Sequence, residues 1–189
     1  MTTQKLTEDF EILRNHCISI RRDYNTYNNL FFSENDDVLL KTAHTFFNDI
    51  AEIMARDWKL QVCKLMDEAE TKYRKQVFEN ISIKLINSQL KCCNLISSEI
   101  TEVSEQILEY GKKVKPARHK RLAHFDREHQ VKGKVLGQTT EEELEGFLIN
   151  IQDYCDLVGN AIGSGPLEFT TSGCPGDVLD LLKVLRKYA

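Results

Sequence analysis

Residues 5–29 read KLTEDFEILRNHCISIRRDYNTYNN, and their apolar positions Leu6, Phe10, Leu13, Cys17, Ile20, Tyr24 and Tyr27 recur at steps of three and four. That spacing draws one stripe along a helix of 3.6 residues per turn and leaves charged and amide groups on the other side. The first proline is Pro116, so no obligatory helix breaker lies ahead of it and long helices are allowed. A first helix is predicted over roughly residues 5 to 29.

Moving outward from this stretch, Asp36 and Asp37 open a second helix that carries Leu39, Leu40, Ala43, Phe46, Phe47, Ile50, Ile53 and Met54 to about Lys64. Acidic residues suit its positive end. Asp67 to Gln76 is less periodic and reads as a connection or a short helix before Ile81–Ile86. From Ser88 to Tyr110 the positions Leu90, Leu95, Ile96, Ile100, Val103, Ile107 and Leu108 favour a helix again. Pro116 is expected to interrupt it, with a restart near Ala117. Glu128 to Gln138 holds Gly133 and Gly137 and reads as a loop, with a brief hairpin at Val131 and Val135 as the alternative.

Thr140-Glu141-Glu142-Glu143 fits a capping box, followed by the stripe Leu144, Phe147, Leu148, Ile151, Tyr154, Cys155 and Val158 up to about Gly163. Gly163-Ser164-Gly165-Pro166 and Gly173-Cys174-Pro175-Gly176 read as turns. A short terminal helix with Val178, Leu181, Leu182 and Leu185 should dock on the rest. The expectation is an all-α bundle of about five or six helices in one domain spanning residues 1–189.

The 189 residues are 41% hydrophobic and 29% charged, an ordinary balance for a globular domain with a buried core. No apolar run is long enough to span a membrane and the first residues do not resemble a signal peptide, which predicts a cytoplasmic protein. Cys17, Cys63, Cys92, Cys93, Cys155 and Cys174 are scattered without a Cys-x-x-Cys pair, so free buried thiols are expected and no zinc site is suggested.

Charge is uneven. The chain carries net −4, yet Lys112, Lys113, Lys115, Arg118, Lys120 and Arg121 follow one another between Gly111 and Phe125 with no carboxylate among them. Such a reversal of sign suits a phosphate backbone. Within it, Arg118 offers a planar fork of donors that matches phosphate oxygens, while His119 and His124 can take and give protons near neutral pH. The plain alternative is a solvated cationic helix end.

Arg118, His119 and His124 resemble the motif of the HEPN superfamily (higher eukaryotes and prokaryotes nucleotide-binding), in which arginine is followed by Asn, Asp or His, four further residues and then histidine. Ala123-His124-Phe125-Asp126, the run Asn80-Ile81-Ser82-Ile83 and the acidic helix after the motif add to the likeness, which is greatest to the abortive-infection branch. The sharp match covers Arg118 to Asp126, and the likeness of layout runs from about Asp23 to the end.

The resemblance implies an endoribonuclease without metal or other cofactor, in a prokaryotic phage-defence or toxin–antitoxin setting. In that chemistry the RNA 2′-hydroxyl attacks the adjacent phosphorus and leaves a cyclic phosphate and a 5′-hydroxyl. Arg118 would bind phosphate and offset transition-state charge, His124 would serve as general acid-base, and His119 would orient the site. Lys112, Lys113, Lys115, Lys120 and Arg121 would attract the backbone with little base preference. On one helix, Arg118 and His124 point about 120° apart. Two copies meeting on a two-fold axis would let their side chains converge, so a homodimer is expected.

Asp126 either orients a histidine or pairs with Arg121 or Arg127 at the surface. Some toxins of the superfamily have a tyrosine at that position, to which a partner nucleotidyltransferase attaches adenylate. Asp126 here speaks against that route, and an antitoxin or nucleotidyltransferase partner is left open. A metal site from His119, His124, Asp126 and His129 is disfavoured, because five residues separate His124 from His129 where a shared helical face needs three or four. His16 and His44 read as packing or surface residues, and Trp58, Phe31, Phe32, Phe46 and Phe47 as core rather than base-stacking platforms. The rival function is a non-catalytic HEPN-like module that binds RNA or protein.

Overall fold

The computed structural model describes residues 2–74, 76–117, 139–171 and 174–188. Among them the first helix, α1, runs Thr3–Leu30, with the Thr2 hydroxyl accepting from the Lys5 N–H at its start. A 3-10 turn, Ser33–Asn35, leads into α2, Asp36–Leu65. Helical geometry breaks inside α2 at Ala43, where φ is −162° and ψ 69°. Both helices match the sequence expectation to within two residues at either end.

The next segment does not. Where a connection or short helix was expected, the antiparallel strands β1, Glu70–Tyr73, and β2, Gln76–Glu79, form a hairpin with Glu70 opposite Glu79 and Tyr73 opposite Gln76. Its base is tied by Asn80. The Asn80 backbone N–H donates to the Ala69 carbonyl at 2.8 Å, and its amide donates to the Glu68 carbonyl at 2.8 Å and the Thr71 hydroxyl at 2.7 Å.

The single helix expected from Ser88 to Tyr110 is two helices, α3, Ile83–Cys92, and α4, Ser98–Ala117. Asn94 sits at φ 57°, the left-handed conformation that asparagine tolerates better than most residues. Around it the Leu95 N–H reaches the Leu90 carbonyl at 2.9 Å and the Asn94 N–H reaches Lys91 at 3.1 Å, the paired bonds that close a helix C-terminus. The Ser97 hydroxyl then caps the Ile100 N–H at 3.2 Å. Pro116, expected to end α4, lies inside its last turn. A proline there cannot donate to the Lys112 carbonyl, one bond of the helix.

Helix α5, Glu141–Ile162, opens with the predicted capping box: Thr140 accepts from the Glu143 N–H and the Glu143 carboxylate accepts from the Thr140 N–H. It closes at Gly163, φ 79°. The buried Arg14 secures the turn beyond, donating to the Gly165 carbonyl at 3.2 Å and to Glu11 at 2.6 Å. Helix α6, Val178–Tyr188, completes the described chain.

The main core is built from Leu6, Phe10, Leu13, Cys17 and Ile20 of α1, Val62, Cys63 and Leu65 of α2, Ile83, Ile86 and Leu90 of α3, Ile100, Ile107, Tyr110 and Val114 of α4, and Phe147 to Val158 of α5. A second, smaller cluster of Leu30, Leu39, Phe47 and Leu182 docks α6 on α1 and α2 as expected. The apolar stripe of α2 was overcounted, however. Leu40, Phe46 and Ile53 are exposed, and so is Phe32, leaving Phe47, Phe31 and Trp58 as the aromatic residues of that group that pack against the cores. Only three of the six cysteines, Cys17, Cys63 and Cys155, are buried, and none of the six forms a disulfide.

Candidate nucleic-acid interface

The cationic end of α4 is held by packing on α5. The Tyr110 ring stacks on Phe147, and the Tyr110 hydroxyl lies 3.5 Å from the Thr139 hydroxyl. Burial pushes the Tyr110 phenol above its ordinary value. On the other side of the helix there is no room for a side chain at Gly111, where Met66 at the end of α2 presses against the backbone. Lys112, Lys113 and Lys115 follow directly, Lys112 and Lys113 exposed and Lys115 half-buried.

Two of these three cations have carboxylate partners that the local sequence hides. Lys112 pairs with Glu109 at 2.6 Å, one turn back on the same helix. Lys113 pairs with Glu143 across to α5. Each lysine holds its partner carboxyl below the usual value, mainly through the hydrogen bond it donates. The run of cations is therefore partly neutralised by neighbours from before and after it, and its field is weaker than the count of charges suggests.

Lys115 faces another way. Together with Lys84 at the start of α3 and Lys112 it lines a cleft of about 410 Å³ with Met66, Glu105 and Glu109. Glu68, at the base of the hairpin, accepts from Lys84. The hydrogen bond and charge of Lys84 lower its carboxyl, with a smaller contribution from Lys115. Sequence reasoning missed Lys84 because it lies 28 residues before Lys112, and only the folding of α3 beside α4 brings them to one cleft.

The residues on which catalysis was placed, Arg118, His119, His124 and Asp126, lie outside the described residues, as do Lys120 and Arg121. So does His129, and with it the disfavoured metal set. The described chain on either side ends at Ala117 of α4 and resumes at Thr139, beside Tyr110. Of the other two histidines, His16 is part-buried with Nε2 3.0 Å from the Gln61 carbonyl, and His44 is exposed. Both agree with packing or surface roles.

Helices α1 to α6 and the cationic turn of α4 define an all-α bundle of the HEPN kind. The sequence pattern of the AbiU2 family of HEPN proteins matches residues 3–173, and the chain belongs to that family, an abortive-infection-associated branch. Comparisons with curated proteins and with solved structures found no match. No described helix is long and apolar enough to cross a membrane.

Proposed function

We propose that this HEPN protein is a metal-independent endoribonuclease of a prokaryotic abortive-infection or toxin–antitoxin system, acting on RNA as a homodimer. The observation that carries this reading is the motif Arg118, His119, His124, entered directly from the end of α4 that bears Lys112, Lys113 and Lys115. In the reaction a base removes the 2′-hydroxyl proton, the 2′-oxygen bonds to phosphorus, and the 5′-oxygen departs with a proton from an acid. His124 from each of two copies would divide that proton traffic, while Arg118 offsets charge on the phosphorane oxygens and His119 orients the phosphate. Lys120 and Arg121 would draw in the backbone with the α4 lysines.

The test is incubation of the purified protein with single-stranded and structured RNA in excess chelator, beside His124→Ala. Cyclic phosphate ends made only by the intact chain are the expected result, with the variant slower by roughly 10²–10⁴. Binding without cleavage favours the rival, a non-catalytic RNA-binding module.

A further inference from the structure

The β1–β2 hairpin is exposed at every described strand position. An isolated two-stranded hairpin is marginal in water, and burial of its strands contributes little to holding this one in place. What secures it is its base, through Asn80 and through the Lys5–Glu79 ion pair at 2.8 Å. An element built this way projects from the bundle and contributes little to its core.

Its two faces differ in chemistry. With Thr71 opposite Phe78 and Tyr73 opposite Gln76, alternation puts Thr71, Tyr73, Gln76 and Phe78 on one face and Glu70, Lys72, Val77 and Glu79 on the other. The first face is uncharged and carries two large rings, Tyr73 62% and Phe78 50% exposed. All the carboxylates are on the second. At the tip, the Arg74 guanidinium lies over the Tyr73 ring at 5.4 Å. Arg74 has φ 55°, the left-handed backbone that the first position of a two-residue hairpin loop adopts.

Exposed rings on a sheet face, rimmed by a guanidinium, are the kind of platform on which unpaired bases stack. The arm also stands at the right place. Its base residue Glu68 is gripped by Lys84, which lines one cleft with Lys115, three residues before Arg118 in sequence. We propose that this hairpin is a single-stranded RNA-binding arm: bases stack on Tyr73 and Phe78, Arg74 at the tip engages a phosphate, and the strand continues past Lys84 and Lys115. This rests on the ribonuclease reading for its ligand and adds a binding element that the motif does not contain. Pairing of the strand edges with another protein is the competing use, and Lys72, Glu70 and Glu79 on those strands oppose it.

The experiment measures fluorescence anisotropy of a labelled single-stranded RNA with the full chain carrying His124→Ala, against the same chain with Tyr73→Ala, Phe78→Ala or Arg74→Ala, and with Tyr188→Ala as control. Thermal unfolding of each variant reports that the fold persists. Loss of Tyr73 is expected to weaken binding about tenfold or more. Loss of Arg74 should flatten the dependence of log affinity on log salt by about 0.7, the value for one phosphate contact on a single strand. Tyr188→Ala should bind as the parent does. Full binding by all three hairpin variants while the parent binds overturns the arm and leaves the ribonuclease reading standing. Failure of the parent to bind and of the intact chain to cleave removes both. Full RNA binding with a changed sedimentation coefficient in the hairpin variants assigns the arm to protein pairing instead.

Discussion

The Tyr110 ring lies nearly parallel to that of Phe147, with centroids 4.5 Å apart and planes inclined by 17°. Trp58 meets the same Phe147 edge-on at 6.2 Å, so a single ring on α5 fixes both the end of α4 and the middle of α2. Phe147→Ala should therefore cost about 3–5 kcal/mol in urea unfolding. A loss below about 1 kcal/mol would mean that the end of α4 is positioned by other contacts.

Gly159 lies inside α5, where alanine would ordinarily gain up to about 1 kcal/mol. Here the added Cβ would sit 2.3 Å from the Gly165 carbonyl oxygen, the same oxygen that accepts from Arg14. Gly159→Ala is expected to destabilise by about 1–3 kcal/mol. Retained or increased stability would show that the turn after Gly163 yields freely.

Thiol chemistry should divide the cysteines by depth. Contact with Cys17, and then burial, push the Cys155 thiol well above its ordinary value. Cys92 and Cys174 are exposed and Cys93 is half-buried. Native protein should react rapidly with a thiol reagent at Cys92 and Cys174, more slowly at Cys93, and at Cys17, Cys63 and Cys155 only on unfolding. Peptide mass mapping after a brief pulse distinguishes these groups.

His16 gives a pH dependence whose sign follows from its surroundings. Burial, aided weakly by Lys64, holds its imidazole below the ordinary value, against the Gln61 carbonyl and the charges of Asp23 and Asp57, which raise it. The unfolded chain then binds more protons as pH falls below the unfolded value of about 6.5, so this contribution is complete above that pH and is lost on acidification toward the folded value. Between about pH 8 and pH 5.5 the parent should lose more stability than His16→Gln in urea titrations. Equal losses would place the acid sensitivity elsewhere.

Lys115 and Lys113 should behave differently toward RNA. Lys113 is engaged by Glu143, whereas Lys115 faces the cleft with Lys84. Lys115→Ala is expected to weaken binding of all RNA sequences alike and to reduce the salt slope by about 0.7. Lys113→Ala should change it less, and the reverse order in a filter-binding series would move the RNA path to the α5 side.

The sequence by itself determined the long helices. Stripes at three- and four-residue steps located α1 and α2 to within two residues, and Thr140 with Glu143 located the start of α5, because periodic burial and end-capping are local properties of a chain. The break between α3 and α4 at Asn94 was missed, because the apolar period continues across it. The resemblance to the HEPN superfamily was legible too, in the spacing of Arg118, His119 and His124. Tertiary structure decided what spacing cannot contain. Which apolar residues of α2 are covered depends on where α1, α4 and α6 pack, so Phe47 is buried and its neighbour Phe46 is not. The charge of the α4 end depends on Glu143, which comes 30 residues after Lys113 and reaches it only once the two helices lie side by side. The hairpin is held by long-range and turn contacts of Asn80 and Lys5 rather than by an apolar alternation, and for that reason no periodicity announced it.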